Sequence, residues 1–301
     1  MDIEIYGLKI FSNVMKFKSF SQAAREMKLT QPTVSQQIAK IEGQLGKRLF
    51  ERVGHEIIPT PIAHQLLGYA QQITSLADDC ENFLLDQKTT LKGTVRYAMP
   101  ESCQWTPHFR RIMQQISSLP DIDFKIGILP SDQIAKGLIE NEYDFGFIVG
   151  EKLHPELRFE KFADENYLMV AKDESFFEPI KNKQLQTLRL IAHPGWELFS
   201  TTWFKAFGIW EEVKKNVKTP VVNIGTLAGA IHAAQEGAGV AILPLQCVAV
   251  EIESGKLKAF APKNFTASNP IYISKRVNDI LPKRAEAVLE MLKKSKLETT
   301  V

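Results

Sequence analysis

Between Ile62 and Phe83, seven side chains recur at alternating spacings of four and three: Ile62, Leu66, Tyr69, Ile73, Leu76, Cys80 and Phe83. That alternation is the a/d seam of a coiled coil. Thr60 as N-cap and Pro61 as first helical residue mark where the helix begins. A helix from Pro61 to about Asp86 would run roughly 39 Å at 1.5 Å per residue, too long to bury its seam against a small domain. Ala63, Ala70, Ala77 and Leu84 add a second stripe beside it. Packing along the chain's own C-terminal part would satisfy such a face, but the strict heptad favours a second copy. The helix divides the chain into a head, 1–60, a linker, 61–88, and a large remainder, 91–301.

The head reads as three short helices and a hairpin. Leu8, Phe11 and Met15 share one face of a helix over Ile5 to Phe17. Ser21 can cap a second helix through Lys28, in which Ala23, Ala24 and Met27 form a small apolar face that admits a close neighbour. Thr30 caps a third, with Pro32 in its first turn and Val34, Ile38, Ile41 and Leu45 committed to a core. The opposite face carries Gln31, Thr33, Ser35, Gln36 and Lys40, which can bond to base edges and phosphates in a major groove. Gly46 stops the helix, and Gly54 marks the turn of a two-stranded wing with its tip near His55. Arginine suits a narrow minor groove better than a half-charged histidine, so the expected wing contact is weak. Residues 1–60 hold nine Lys and Arg against six Asp and Glu, whereas the remainder holds 28 against 29. The positive excess therefore sits where the polar helix face is. Ala-rich hairpins with polar outer faces also occur in proteins that never meet DNA.

Phe20, Ala23, Ala24, the block Thr30-Gln-Pro-Thr-Val-Ser-Gln-Gln-Ile, Leu45-Gly, Leu49-Phe-Glu-Arg and Thr60 follow one another in a recognisable order and spacing. On these residues, segment 8–66 resembles the N-terminal domain of LysR-type transcriptional regulators, a bacterial family. The resemblance implies that Gln31, Pro32, Ser35 and Gln36 face the groove, with Thr33 beside them and Lys47, Arg48 and Arg52 as phosphate contacts. Two positions depart from the family pattern: His55, where arginine is frequent, and Ala63, where glycine is frequent. The resemblance also implies a homotetramer built as a dimer of dimers, and contact with RNA polymerase. Two heads on one frame would read an interrupted inverted repeat in double-stranded DNA.

Past the polar stretch 87–93, apolar runs alternate with helical patterns. Strands are expected over Thr94 to Met99, Phe124 to Leu129 and Phe145 to Val149, with helices over Trp105 to Leu119 and Ile134 to Ile139. A second set spans Tyr167 to Ala171, Leu190 to Ala192, Pro220 to Val222 and Val240 to Leu243, with a helix over Thr226 to Glu236. The chain then returns through Ile271 to Ser274 and a helix near Lys283 to Lys293. The pattern is α/β with parallel strands in two lobes, about 91–163 with 269–301, and about 164–268. Asp144-Phe-Gly-Phe-Ile-Val and Ala233-Ala-Gln-Glu-Gly-Ala-Gly-Val-Ala-Ile-Leu-Pro are similar to segments of the LysR effector domain, which has a type 2 periplasmic-binding-protein fold. The expected whole is an all-α winged helix-turn-helix, a long linker helix and a two-lobed α/β effector domain.

Ligands of open α/β sheets bind beyond the carboxyl ends of strands, near helix N-termini. Those ends carry Glu101, Ser102 and Cys103, then Pro130 and Ser131, then Val149 and Gly150. In the other lobe they carry His193 and Trp196, and Asn223 with Thr226. Family resemblance favours Ser102, Ser131 and Thr226, although Ser, Thr and Asn at helix starts also serve simply as caps. No arginine falls at these ends, so a dicarboxylate clamp is not expected. Trp105, Trp196 and Phe199 suit an aromatic or amphipathic effector, or a core.

Catalytic motifs are missing from the sequence: it has no Gly-x-Ser-x-Gly, no Gly-rich phosphate loop and no His-Glu-x-x-His, and its six histidines are scattered. Cys80, Cys103 and Cys247 form no Cys-x-x-Cys pair, so neither a metal site nor a disulfide framework is expected. No enzyme activity and no cofactor follow from this composition. The N-terminus is not that of a signal peptide, and no apolar run approaches the ~18 residues of a membrane span, which places the chain in the cytoplasm. The expected function is sequence-specific transcriptional regulation modulated by a small molecule. Two alternatives stay open: a cytosolic small-molecule-binding protein with no specific DNA target, and a redox-sensing regulator acting through Cys103.

Overall fold

A computed structural model describes residues 4–53, 56–85, 91–150, 154–217, 220–260, 262, 265–277, 279 and 281–294. The head comprises α1 (Ile5–Phe17), α2 (Phe20–Glu26), α3 (Gln31–Leu45), β1 (Phe50–Val53) and β2 (Glu56–Pro59). Phe11, Val14, Ala23, Val34 and Ile38 are fully or almost fully buried in its core. Ser19 rather than Ser21 caps α2, its Oγ accepting the N–H of Gln22 at 3.2 Å. The helix therefore starts at Phe20, whose ring packs edge-on against Phe50. It stops at Glu26, short of Lys28, which turns left-handed at φ 55°. Thr30 caps α3 through the N–H of Thr33, and Gly46 ends it at φ 63°. Glu42 then accepts the N–H groups of Leu49 and Phe50, which ties α3 to the start of the antiparallel wing.

The linker is one helix, α4 (Pro61–Leu85). Ala63 and Ala70 have no exposure and pack into the head's core, because side chains this small let α1 approach closely.

The remainder begins with β3 (Gly93–Met99), α5 (Pro107–Gln115), β4 (Ile122–Ile128), α6 (Ser131–Ile139) and β5 (Phe145–Val149). It continues through β6 (Leu157–Ala171), α7 (Glu178–Lys181), β7 (Ile191–Ala192), α8 (Trp196–Phe207), α9 (Trp210–Asn216), β8 (Val222–Asn223) and α10 (Leu227–Gln235). The last elements are β9 (Ala241–Pro244), α11 (Leu245–Glu253), β10 (Lys258–Phe260), β11 (Ser268–Arg276) and α12 (Lys283–Lys294).

Strand β3 lies between β4 and β5 and runs parallel to both, as expected. In the second lobe β7 and β8 also pair parallel, but the expectation fails at the long strands: β11 pairs antiparallel with β5 and β6, and β6 with β9 and β10. The reason is connectivity, since β6 and β11 are long strands that pass between two cores rather than units of a βαβ repeat. One core gathers Tyr97, Phe145, Phe147, Val288 and Leu289. The other gathers Tyr167, Met169, Trp203, Phe204 and Leu243. These cores belong to the two lobes, and the strand ends between them form the cleft.

Candidate DNA-reading face and interlobe cleft

In α3, Val34, Ile38 and Ile41 point into the core. At about 100° per residue, Gln36 lies opposite the centre of that buried face, with Pro32 and Lys40 beside it and Thr33 and Ser35 at its flanks. Gln31, Pro32, Gln36 and Lys40 are exposed. Gln31 Nε2 donates to Ser35 Oγ at 2.9 Å, which orders one edge of the face before any ligand arrives. Lys40 reaches back to Glu4 at 2.5 Å, a surface pair that a phosphate can displace. Lys47, Arg48 and Arg52 are exposed around the start of the wing. His55, expected at the wing's tip, lies outside the described residues.

The seam of α4 divides along its length. Ile62 and Leu66 are partly buried against the head. Tyr69, Ile73 and Leu76 are 62%, 45% and 64% exposed, and Cys80 is exposed too. The side chain of Phe83 is outside the described residues. On another side, α4 meets the first lobe: Gln72 Nε2 donates to Asn141 Oδ1 at 2.6 Å, and Arg96, paired with Asp144 at 2.9 Å, also donates to Gln71.

Across the cleft, the Glu101 carboxylate after β3 accepts the N–H of Leu227, the first residue of α10, at 2.9 Å. Thr226 caps the same helix through the N–H of Gly229. Two of the helix's free donors are thereby satisfied, one by a charge from the opposite lobe. Deeper, Glu165 is 1% exposed and accepts from Tyr167 Oη and Gln246 Nε2, both at 2.9 Å. Asn269 Nδ2 donates to Tyr167 Oη and to Thr202 Oγ1. Burial pushes the Glu165 carboxyl up, against the pull of these hydrogen bonds. The Ser102 hydroxyl, 1% exposed, stands near this carboxyl without completing a well-formed hydrogen bond. Glu165 and Tyr167 lie on β6 and Asn269 on β11, so the network sits on the two strands that join the lobes.

Residues 88–296 match the LysR substrate binding domain, and residues 5–64 match the bacterial regulatory helix-turn-helix protein, lysR family. The chain belongs to the LysR family of transcriptional regulators. It is similar to the HTH-type transcriptional activator CmpR of Synechocystis sp., at 25% identity over 96% of this chain and 94% of that protein. Its fold is similar to that of ArgP from Mycobacterium tuberculosis, with a TM-score of 0.74 and 18% identity across 97% of each chain. It is likewise similar to full-length CbnR complexed with its target DNA, with a TM-score of 0.62 and 18% identity across 97% of this chain and 99% of that one. This LysR-family chain is thus a DNA-binding transcriptional regulator with an effector-binding domain.

Within that domain, the residues expected at the strand ends do different things. Ser102 and Cys103 are buried beneath the cleft. Burial and the charge of Glu165 push the Cys103 thiol up, away from the thiolate that oxidant sensing needs. Pro130 stands at the N-cap position just before α6, and Ser131 Oγ accepts the N–H of Val149, clasping that helix to the end of β5. Gly150 donates its N–H to Pro270, and a Cβ there would meet Leu198 of the second lobe at 3.2 Å. His193 has both ring nitrogens 2.9 Å from carbonyls, of Pro194 and Ile242, and burial pushes its imidazole down. Trp196 starts α8 half-buried, while Asn223 is exposed. Sequence reading placed Glu101 among the strand ends without singling it out, and missed Glu165, Tyr167, Gln246 and Asn269. Glu165 falls in a charged stretch whose strand character was hidden, so no local signal identified it. Among the described residues, no helix is long and apolar enough to cross a membrane.

Proposed function

We propose that this regulator reads an interrupted inverted repeat with α3 of two copies, each placing Gln36 against base edges with Gln31, Pro32, Thr33 and Ser35 around it. Lys40, Lys47, Arg48 and Arg52 contact phosphates. The observation that carries the reading is the orientation of Gln36, opposite the buried face of a helix whose ends are both capped. The CbnR complex with target DNA, of the same fold, supports it. The exposed stretch Tyr69, Ile73, Leu76 and Cys80 pairs with the same stretch of a second copy, and two such dimers form a tetramer.

A small-molecule effector enters the interlobe cleft near Ser102, Ser131, Thr226 and the α10 N-terminus, where it competes with Glu101. Its preference for one lobe arrangement shifts the placement of the paired heads, and with it DNA bend and polymerase contact, by no more than its differential affinity. The protein acts in the cytoplasm and catalyses no reaction of its own.

The test is selection of genomic DNA fragments by the purified chain at near-physiological salt, since low ionic strength lets phosphate contacts imitate specificity. Enrichment of an interrupted inverted repeat is expected. Recovery of fragments with no shared site would contradict the reading.

A further inference from the structure

Arg48 is exposed at the start of the wing, and its charge lies at the end of a long, flexible stem. Such a side chain meets a phosphate only if its backbone stands in the right place. The peptide that follows Arg48 Cα is planar, so its two polar edges, the Arg48 carbonyl and the Leu49 N–H, move together. Both edges are held. Glu42 Oε1, near the C-terminal end of α3, accepts the Leu49 N–H at 2.7 Å, and Thr60 Oγ1 donates to the Arg48 carbonyl at 3.0 Å. The same Glu42 oxygen accepts the N–H of Phe50 at 3.2 Å. The Leu49 carbonyl in turn accepts the Thr60 N–H at 2.9 Å.

The two braces come from different parts of the head. Glu42 belongs to the helix that carries Gln36, whereas Thr60 stands just before the linker helix and also accepts the Ala63 N–H at 3.4 Å. The backbone at Arg48 is therefore fixed to α3 on one side and to the linker on the other. Leu49 has no exposure and Phe50 is 7% exposed, so loss of the carboxylate leaves two buried donors that water reaches only if the chain moves. The Phe50 ring is anchored against Phe11 and Phe20, with centroids 5.8 and 5.7 Å away. The movement then falls on the peptide between Arg48 and Leu49.

We propose, on the reading of Arg48 as a phosphate contact, that Glu42 is a positioning residue for DNA binding. It touches no DNA itself and sets the place from which Arg48 reaches a phosphate.

The test is anisotropy titration of the full chain on a random-sequence duplex, which isolates phosphate contacts, across a series of salt concentrations. Wild type is compared with Glu42→Ala, Glu42→Asp, Glu42→Gln, Arg48→Gln and the double variant Glu42→Ala/Arg48→Gln, with active protein counted by stoichiometric titration. Arg48→Gln should lower the slope of log affinity against log salt by about one, and Glu42→Ala should do the same while weakening binding roughly three- to tenfold. Glu42→Asp, a milder change that draws the oxygen back, should lower the slope in the same direction. Glu42→Gln keeps an oxygen that accepts both N–H groups and should keep the wild-type slope. The double variant should lose no more than Arg48→Gln alone, since Glu42 acts through Arg48. A head that is merely less stable would yield less active protein at an unchanged slope, so an unchanged slope in Glu42→Ala and Glu42→Asp overturns the proposal. So would losses that add in the double variant, or Glu42→Gln behaving as Glu42→Ala. An unchanged slope in Arg48→Gln would remove Arg48 from phosphate contact, and the role of Glu42 with it.

Discussion

Glu101 Oε2 in the first lobe accepts the N–H of Leu227, the opening residue of α10 in the second, at 2.9 Å. A carboxylate from the chain itself therefore occupies the place that a helix N-terminus offers to an anion. We expect Glu101→Gln, which keeps an acceptor but loses the charge, to lower stability by about 1 kcal/mol. Glu101→Ala should cost more and make the cleft more open to proteolysis. Thermal unfolding of the two variants checks the order, and equal stability with wild type would remove the latch.

Linker and lobe touch at Gly68, where an added Cβ would stand 2.5 Å from the Glu140 carbonyl and 2.7 Å from Asn141 Cβ. Backbone cannot yield as a flexible side-chain tip can. Gly68→Ala should destabilise by about 1 to 3 kcal/mol and displace α4 from the lobe. Gly43→Ala, in α3 with nothing within 4 Å, should instead stabilise by up to about 1 kcal/mol. Chemical denaturation of both variants reads the contrast.

Leu76 is 64% exposed on α4, an apolar side chain that the described residues leave mostly uncovered. Leu76→Glu should leave the stability of the single chain within about 0.5 kcal/mol while shifting sedimentation toward monomer. A dimer that survives the change would move the pairing surface elsewhere.

His108 packs between Phe147 and Phe162, and burial pushes its imidazole down to about 4 from 6.5. The folded state thus stays neutral where the unfolded chain takes up a proton. Stability from this group is complete above pH 6.5 and falls as pH drops toward 4, by up to about 3 kcal/mol. His108→Phe should flatten the stability profile across that window. An unchanged slope would assign it to other groups.

The head was legible because its signals are local: Thr30, Pro32, Val34, Ile38 and Gly46 each fix one feature of α3 by their own chemistry. The choice of Ser19 over Ser21 was not, since it depends on where Phe20 finds Phe50 in the folded core. In the effector domain, β5 was read to the residue because all five of its residues are buried. Strand β6 was read only from Tyr167 to Ala171, because its first half mixes charged and apolar side chains over Leu157 to Asn166. Helix α8 was missed altogether, its aromatic run being as consistent with cleft as with core. The contacts that close the cleft link residues far apart in sequence, 126 positions in the case of Glu101 and Leu227. Spacing rules carry no information at that range.

The most direct test of the central claim compares Gln36→Ala and Arg48→Gln on the selected operator and on random DNA across a series of salt concentrations. If α3 reads bases through Gln36, its loss weakens operator binding by roughly 1 to 3 kcal/mol per half-site and leaves random DNA and the salt slope unchanged. Arg48→Gln should weaken both DNAs alike and reduce the slope by about one. Equal weakening of operator and random DNA by Gln36→Ala would contradict base reading by this face of α3.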